Sequence, residues 1–334
     1  MSLPYIIIKP YHFMFSVVIP LYNKAHTILR TLASVLNQTF VDFEVIIIND
    51  GSTDNALNLI NKFTADNRVN IYNQENQGVS VARNNGVKLS KFPYVAFLDG
   101  DDEWLPDFLL KFNEAIRLFP EAGFFGSSSW HRDFKTGEEK DSTPEKYRNK
   151  IQGVDYFFNP QVMPHTSAVV IRKDFFNSID SGNGFPEGMK VCEDWSLFFR
   201  LASIATSIYI GFPLGIRNYN VKGQITGLNF KERFLLLVHV VNFYNIVYEF
   251  WNKMEVLDER KIEFIKYDLR HRFIMYLRSS DYRSIQCIIN GLDPSIKTKF
   301  WFFEFGLYNS QKLNAIARFY ILLTKVLYKT LKFF

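Results

Sequence analysis

Short apolar segments alternate with segments of helical periodicity along the first third of the chain, and this alternation limits the fold more than any other feature. The apolar segments are FSVVIP (15–20), FEVIIIN (43–49), RVNIYN (68–73) and YVAFLD (94–99). Helical segments are predicted near 24–38, near 53–66, near 78–90 and from about Pro106, a residue favoured in the first turn of a helix. A repeated order of strand, helix and strand predicts a parallel sheet that helices cover on both faces.

Polar residues lie where these predicted strands end. They are Tyr22 and Asn23 after the first strand, 49–52 (NDGS) after the second, and 99–103 (DGDDE) after the fourth. Open α/β sheets bind their ligands at the carboxyl ends of the strands. The sequence therefore predicts a functional site along this edge of the sheet.

The segment 99–103 concentrates four carboxylates that repel one another. No Lys or Arg lies within residues 94–104 to offset them. Carboxylate oxygens are the ligands of hard divalent cations, so the cluster predicts a cation site, and we expect the loop to be strained or mobile without the cation. The alternative is an acidic turn that caps the helix near Pro106, and the cluster alone does not decide between the two.

Five motifs, in this order along the chain, resemble those of the family 2 glycosyltransferases of GT-A fold. They are SVVIPLYNK (16–24), EVIIINDGSTDN (44–55), NQGVSVARNNG (76–86), FLDGDD (97–102) and CEDW (192–195). The resemblance covers about residues 14–225. It implies an α/β fold with a Rossmann-like mixed sheet flanked by helices, a nucleoside-diphosphate sugar as donor, Mg²⁺ or Mn²⁺, and inversion at the anomeric carbon. The sequence has no G-x-G-x-x-G or G-x-x-x-x-G-K-[ST] motif, which argues against dinucleotide or ATP chemistry.

The first three motifs would bind the nucleotide sugar. The resemblance places Pro20 and Tyr22 in the base pocket and makes Asp50 a hydrogen-bond acceptor for the base. A carboxylate acceptor suits the imide N–H of uracil, so a UDP-sugar is expected. Asn49 stands where the family often has a second Asp, which leaves the base less certain. Arg83 would face the nucleotide, and a structural role is its alternative.

The fourth and fifth motifs would carry the metal and the catalytic base. Asp101 resembles the direct metal ligand of the family, and Asp99 of the same D-x-D motif would lie close to the ribose and the metal. Asp194 would be the general base that takes the proton from the acceptor hydroxyl. Glu193 would orient that base or bind the acceptor, and Trp195 could stack on a sugar ring. The alternative for the two carboxylates is an acidic first turn, which the helix dipole favours.

Three other segments extend the resemblance toward the acceptor. His165 in PHTSAVVIRKDFF (164–176) could touch the substrate, with a structural role as the alternative. The charged segment 131–150 is predicted to be an exposed excursion. YNVKGQITG (219–227) resembles a flexible loop that closes over the diphosphate, and Lys222 is its basic residue.

The predicted domains are a catalytic domain at 1–227 and a helical region at 228–334. The catalytic domain would comprise a nucleotide-sugar half at about 14–103 and an acceptor half at about 104–227. Polar residues interrupt the apolar segment Phe234 to Trp251, which therefore predicts a core helix and not a membrane span.

The end of the chain predicts a basic amphipathic helix. Arg318, Lys325, Lys329 and Lys332 fall on one side of such a helix, with apolar residues on the rest of its surface. It would bind an anionic membrane surface or dock on the helices of the protein itself, and both alternatives stay open.

Composition excludes several other classes of function. Cys192 and Cys287 are the two cysteines of the chain, too few and too far apart for a disulfide scaffold or a zinc site. A net charge of +5 without a clustered basic and aromatic groove argues against nucleic-acid binding. The N-terminal segment lacks the features of a signal peptide. A cytoplasmic protein, peripheral at the inner membrane if the last helix binds lipid, is expected.

These inferences favour a metal-dependent, inverting glycosyltransferase of hexosyltransferase type. It would transfer sugar to a saccharide or lipid-linked acceptor in cell-surface polysaccharide synthesis, by single additions because the Q-x-x-R-W motif of processive synthases is absent. One alternative is a non-catalytic nucleotide- or carbohydrate-binding scaffold of the same fold, against which the retention of Asp50, Asp101 and Asp194 argues. The other is a sugar nucleotidyltransferase, which would need a glycine-rich basic loop where the chain has VVIPLYNKAHT.

Overall fold

The computed structural model describes residues 15–221, 224, 236–278 and 281–299. The chain forms two compact units. The first comprises Met1–Gly153, Pro164–Gly184 and Ile208–Val221, and the second comprises Val154–Met163, Phe185–Ser207 and Lys222–Phe334. The functional domains predicted from the sequence, with their boundary after residue 227, stay a prediction.

The first unit is built on one mixed sheet. Its strands are β1 (Phe15–Leu21), β2 (Phe43–Asp50), β3 (Val69–Gln74), β4 (Tyr94–Phe97), β5 (Glu103–Trp104), β6 (Phe124–Asp133), β7 (Glu139–Asp141), β8 (Ile151–Gly153), β9 (Val169–Arg172) and β10 (Ser207–Tyr219). Their order is β3-β2-β1-β4-β9-β6-β10-β5, with β7 paired to β6 and β8 paired to β10. This architecture confirms the predicted fold class.

The parallel arrangement predicted from the first four strands is confirmed, and the later strands make the sheet mixed, as the predicted fold class implies. β1 pairs in parallel with β2 and with β4, and β2 pairs in parallel with β3. β9 runs antiparallel to both β4 and β6. Parallel neighbours need a long crossover, usually a helix, and residues 134–168 between β6 and β9 contain no α-helix.

Four helices of this unit correspond to the four predicted from periodicity. They are α1 (Ile28–Leu36), α2 (Ala56–Phe63), α3 (Val79–Leu89) and α4 (Phe108–Leu118), and a short α5 (Lys173–Asn177) follows β9. α1 buries Ile28, Leu32 and Val35, which recur at helical spacing on one face. All eight residues of β2 are buried, as expected for a strand that is covered on both faces.

Gly86 allows α3 to pack closely on β1. A Cβ atom added at Gly86 would lie 2.3 Å from Cγ1 of Val18. Replacing a helical glycine by alanine normally stabilises a protein by about 0.5–1 kcal/mol, but overpacking of a core costs about 1–3 kcal/mol. We therefore expect Gly86→Ala to lower the free energy of unfolding in urea. Gly153→Ala is the control, because its added Cβ meets no atom within 4 Å; equal stability of the two variants would contradict the close packing.

The second unit is helical over most of its described residues. α6 (Glu193–Ile204) is followed by helices at Leu237–Lys253, Glu259–Arg278, Tyr282–Gly291 and Pro294–Lys297. α6 buries Leu197, Phe198 and Leu201. The core helix predicted within the apolar segment from Phe234 is confirmed as Leu237–Lys253. Among the helices of the described residues, none is long and apolar enough to cross a membrane. Lys222 and the predicted basic helix near 311–334 lie outside the described residues.

Candidate functional site

Side-chain hydrogen bonds join the loops that follow β1 and β2. Oδ1 of Asn23 accepts the backbone N–H groups of Thr53 at 2.8 Å and Asp54 at 3.3 Å, and the backbone N–H of Asn23 donates to Oγ of Ser52 at 3.1 Å. Asn23 adopts a φ of +53°, a left-handed conformation that Asn tolerates better than most residues. The neighbouring Tyr22 is 48% exposed, which leaves its ring available to a ligand, as predicted for the base pocket.

Asp50, at the end of β2, anchors the loop that leads into α3. Its Oδ1 accepts the Gln74 side-chain amide at 2.8 Å and the Gln77 backbone N–H at 2.9 Å. Its Oδ2 accepts the Gly78 N–H at 2.9 Å. A carboxylate offers about four acceptor positions, so one position on Oδ2 remains within the described part of the chain. The predicted role of Asp50 toward a base N–H fits this remaining position.

Asn49 joins β2 to β3 and to the loop after β2. Its side-chain amide donates to Oδ1 of Asn73 at 2.9 Å, and its Oδ1 accepts the Ser52 N–H at 3.1 Å. An amide supplies the donor and the acceptor together, whereas an ionised carboxylate only accepts. Asn49 can therefore make both hydrogen bonds, whereas the ionised Asp that the family often has at this position could not donate the one to Asn73.

Two carboxylates of the 99–103 loop pair with cations from other parts of the chain. Nζ of Lys24 lies 2.6 Å from Oδ2 of Asp101, and Nη2 of Arg83 lies 2.6 Å from Oδ1 of Asp99. Arg83 is buried, while the side chain of Asp99 remains 33% exposed. The predicted residues Arg83, Asp99 and Asp101 are thus brought together at the carboxyl edge of the sheet.

Cationic side chains from elsewhere in the chain offset the acidic loop, and the expectation that the loop is strained or mobile without a cation stays a prediction. Arg30 and Arg132 each lie 2.8 Å from Oε1 of Glu103, so a third carboxylate of the loop also has cationic partners. Every residue of this loop is described, and none of Asp99–Glu103 has a positive φ. The cations lie far away in sequence and meet the loop only in the folded chain, which is why a count over residues 94–104 missed them.

Asp102 is the buried carboxyl of this loop. Burial is the main reason that the pKa of Asp102 is raised to about 8, and the negative charges of Asp101 and Asp99 add to it. Hydrogen bonds from Oγ of Ser167 at 2.6 Å and from the backbone N–H of Asn218 at 2.9 Å oppose this rise. Burial therefore dominates the behaviour of this carboxyl, and the neighbouring carboxylates add a smaller effect in the same direction.

His165 lies beside Asp102 and has a structural setting. Its Nε2 is 2.8 Å from Oγ of Ser129, and its Nδ1 is 3.8 Å from Oδ2 of Asp102. Burial, followed by the charges of Arg217 and His131, holds the pKa of His165 well below its usual value. A neutral imidazole forms no ion pair with Asp102, and the predicted contact of His165 with substrate stays a prediction.

The donor set of the loop fits a divalent cation that a substrate helps to bind. Among the described residues, no group of three or more His, Cys, Asp or Glu side chains could hold a metal by itself. Mg²⁺ is commonly bound by one or two carboxylates together with waters and the phosphates of a substrate. Asp101 offers such a carboxylate, and Asp99, whose side chain is 33% exposed, lies two residues before it.

The predicted base and its neighbours lie in the second unit. α6 begins at Glu193, and Oδ1 of Asp194 accepts the Trp195 backbone N–H at 2.7 Å. The ring of Trp195 contacts that of Phe199, with centroids 5.7 Å apart. Burial raises the pKa of the Cys192 thiol to about 12, so this thiol is not a nucleophile at neutral pH. The roles of Asp194, Glu193 and Trp195 stay predictions.

Sequence reasoning missed the residues that hold the acidic loop in place. They are Lys24, Arg30, Arg132, Ser167 and Asn218. Lys24 had a signal, because it ends the motif IPLYNK that was already assigned to the nucleotide side. Ser167 lies in the segment 164–176 that was assigned to the acceptor side, whereas Arg30, Arg132 and Asn218 lie outside the five motifs. Local sequence contains no sign that any of these four residues meets the loop.

The fold of the sheet and its flanking helices is that of the GT-A class of glycosyltransferases. Residues 16–179 match the model of the family described as Glycosyl transferase family 2. The crystal structure of Staphylococcus aureus TarS residues 1–349 with UDP-GlcNAc superimposes with a TM-score of 0.61 at 17% identity, covering 92% of this chain and 90% of that one. The chain therefore contains a glycosyltransferase family 2 domain, as the sequence motifs predict.

Two curated relatives illustrate the range of the family. A Rickettsia bellii protein named as a glycosyltransferase is 32% identical over 191 residues, which cover 56% of this chain and 26% of that protein. The Escherichia coli UDP-Glc:alpha-D-GlcNAc-diphosphoundecaprenol beta-1,3-glucosyltransferase WfaP is 35% identical over 132 residues, or 39% of this chain and 52% of the enzyme. The chain thus spans about a quarter to a half of the length of these two relatives.

Proposed function

We propose that this protein is a metal-dependent, inverting glycosyltransferase that transfers a sugar from a UDP-sugar to a hydroxyl group of a saccharide or lipid-linked acceptor. The observation that carries the proposal is the acidic loop 99–103 at the carboxyl edge of the parallel strands, next to the joined loops after β1 and β2. Membership of family 2 over residues 16–179 supports the same class of reaction.

The nucleotide would bind along the ends of β1 and β2. Tyr22 offers an exposed ring for stacking on the base, and Pro20, two residues earlier in β1, would line the same pocket. The remaining acceptor position of Asp50 suits the N3–H of uracil. Arg83, paired with Asp99, contributes a buried positive charge on the side where a diphosphate would lie.

Asp101 would be the direct ligand of the divalent cation, Mg²⁺ or Mn²⁺, with Asp99 close to the ribose and the metal. When bound, such a cation neutralises the negative charge that develops on a departing diphosphate. Lys24 keeps the carboxylate of Asp101 in place through its 2.6 Å contact. Glu103 is held by Arg30 and Arg132 and contributes to the shape of the loop, not to the ligand set.

Inversion requires a base that deprotonates the acceptor as it attacks the sugar. Asp194 in the first turn of α6 is proposed for that role, with Glu193 orienting it or contacting the acceptor and Trp195 adjacent for stacking on a sugar. His165 is the remaining acceptor-side candidate. These assignments rest on the match of CEDW to the family motif.

The acceptor class is proposed from a relative. WfaP carries in its name UDP-Glc as donor and a diphosphoundecaprenol-linked sugar as acceptor. A lipid-linked acceptor would bring this protein to the inner face of a membrane, where the basic segment predicted near 311–334 would meet anionic lipid. Synthesis of a cell-surface polysaccharide is the corresponding process.

Release of nucleoside diphosphate from a panel of nucleotide sugars tests the proposal. We expect release from a UDP-sugar, stimulated by a saccharide or polyprenyl-diphosphate-linked acceptor and lost when EDTA removes Mn²⁺ or Mg²⁺. GDP- and dTDP-sugars serve as controls for the base. Binding of UDP without turnover for any donor and acceptor would favour a scaffold, and pyrophosphate release from UTP and a sugar 1-phosphate would favour a nucleotidyltransferase.

A further inference from the structure

Hydroxyl groups of the first helix bind two carbonyl groups of the acidic loop 99–103. Oγ1 of Thr27, the residue before α1, donates to the carbonyl oxygen of Gly100 at 2.7 Å. Oγ1 of Thr31, about one turn further along, donates to the carbonyl oxygen of Asp102 at 2.8 Å. Both threonines are buried. The main chain of the loop is therefore attached to α1 by bonds that use none of its carboxylates.

Asn218 in β10 attaches the same loop to the sheet. Its side-chain Nδ2 donates to the carbonyl oxygen of Asp101 at 2.7 Å, and its backbone N–H donates to Oδ1 of Asp102 at 2.9 Å. Asn218 is 1% exposed. One buried residue thus contacts the main chain of the proposed metal ligand and the side chain of the residue that follows it.

Ser167, two residues before β9, joins the two ends of the D-x-D-D segment. Its Oγ accepts the backbone N–H of Asp99 at 3.1 Å and donates to Oδ2 of Asp102 at 2.6 Å. The backbone N–H of Asp102 donates in turn to the carbonyl oxygen of Asp99 at 3.0 Å, which closes a ring of three hydrogen bonds. Hydrogen bonds to a carboxylate are stronger than those between neutral groups, so the ring holds Asp99 and Asp102 on either side of Asp101.

The position of Ser167 is itself fixed. Its carbonyl oxygen accepts the indole N–H of Trp104 at 2.7 Å, and the ring of Trp104 stacks on that of Phe108, with centroids 3.9 Å apart. Ser167 is 1% exposed. Its hydroxyl is therefore a buried, well-located partner for the loop.

We propose that Ser167 and Asp102 are positioning residues, which hold the backbone of the loop so that the carboxylate of Asp101 points at the divalent cation. The inference rests on the proposed function, in which Asp101 is the direct ligand. Neither Ser167 nor Asp102 touches the cation or the sugar in this role. It gives Ser167, within the segment 164–176 that was predicted for the acceptor side, a role in binding the donor through its metal.

Ser167→Ala is the primary test, because it removes both hydrogen bonds of Oγ and little volume. Residues that support a metal ligand are typically worth 10- to 100-fold in metal affinity. We expect the tightening of UDP binding by Mn²⁺, measured by calorimetry, to fall about tenfold or more in this variant. UDP affinity in EDTA should stay within about twofold, since the base would bind at the ends of β1 and β2.

Ser127→Ala is the matched control. Ser127 is a buried serine of the neighbouring strand β6, and its Oγ has no hydrogen-bond partner among the described residues. This variant removes the same hydroxyl from the same sheet without touching the loop, and it should bind UDP as the wild type does with and without Mn²⁺.

Substitutions of Asp102 distinguish a positioning residue from a metal ligand. The amide of Asp102→Asn can still accept the Asn218 N–H and can donate to Oγ of Ser167, so it should keep most of the Mn²⁺-dependent tightening. Asp102→Ala cannot, and should lose about as much as Ser167→Ala. A loss in Asp102→Asn as large as that in Asp101→Asn would show that Asp102 is itself a ligand, and would overturn the proposal.

Amide hydrogen exchange of the protein without metal or donor separates this inference from the proposed function. Exchange of residues 98–103 should be faster in Ser167→Ala than in Ser127→Ala, whether or not the protein transfers sugar. If the wild type shows no Mn²⁺ dependence, the proposed metal site fails, and exchange alone decides whether Ser167 orders the loop.

Two results would overturn the role of Ser167. One is exchange, or Mn²⁺ dependence where the wild type has it, that is the same in Ser167→Ala as in Ser127→Ala. The other is an equal loss of UDP affinity with and without Mn²⁺, together with a lower melting temperature, because the ring of hydrogen bonds would then only stabilise the fold.

Discussion

Asp194→Asn is expected to lower kcat for sugar transfer by about 10² to 10⁴-fold, the usual contribution of a general base. Asparagine has the same shape and keeps an oxygen for the Trp195 N–H, which Asp194 accepts at 2.7 Å, so α6 should begin as it does in the wild type. Donor affinity and Mn²⁺ affinity should change little, because Asp194 is assigned to the acceptor alone. Transfer rates at saturating donor, with calorimetry of UDP binding, measure both quantities.

Glu193→Gln is the matched control for this experiment. It removes the neighbouring carboxylate of the same helical turn, so both variants lose one negative charge near the helix N-terminus. Glu193→Gln should be milder if that residue only orients the base or the acceptor. A near-normal rate for Asp194→Asn, or a larger loss in Glu193→Gln, would show that the base is assigned to the wrong residue.

Asp101→Asn is expected to abolish the tightening of UDP binding by Mn²⁺. Loss of residues that merely support a metal ligand typically costs 10- to 100-fold in affinity, so loss of a direct ligand should cost about 100-fold or more. The amide oxygen still accepts a hydrogen bond from Lys24, which lies 2.6 Å from Asp101 in the wild type. The loop should therefore keep its conformation. Calorimetry of UDP binding with and without Mn²⁺ then measures the contribution of Asp101 to metal binding.

Glu103→Gln is the control for the metal experiment. Glu103 is two residues from Asp101 and is engaged with Arg30 and Arg132, so its loss removes a charge from the same loop without removing a proposed ligand. We expect Glu103→Gln to keep most of the Mn²⁺-dependent tightening. Equal Mn²⁺ dependence in Asp101→Asn and the wild type would refute the assignment of Asp101.

The elements of the first unit were predictable where local periodicity decides them. The apolar segment 43–49 predicts a buried strand, and β2 covers Phe43–Asp50 with every residue buried. Helix ends were less accurate: the helix expected at 53–66 is Ala56–Phe63. Asp54, just before it, uses its side chain to accept the Ala25 N–H at 2.8 Å. Contacts between distant loops compete with helix formation at the ends of a helix. The periodicity of apolar residues in the local sequence does not predict these contacts.

The candidate site was predicted through its motifs and not through its contacts. Asp50, Asp99 and Asp101 could be named because each follows an apolar strand and matches a family motif. The same sequence did not reveal that Asp50 accepts the backbone N–H groups of Gln77 and Gly78. Nor did it reveal that Ser167, 65 residues away in sequence, donates to the carboxylate of Asp102.

The sequence by itself determined the strand and helix order of the nucleotide side, the family, and the types of residue available for metal, base and acceptor chemistry. The tertiary structure decided the direction of the later strands and the charge balance of the acidic loop. Lys24 lies 77 positions from Asp101 in sequence, yet their charged groups are in contact. Coulomb energy depends on distance in space, so only the folded chain shows which cationic side chains offset the carboxylates of the acidic loop.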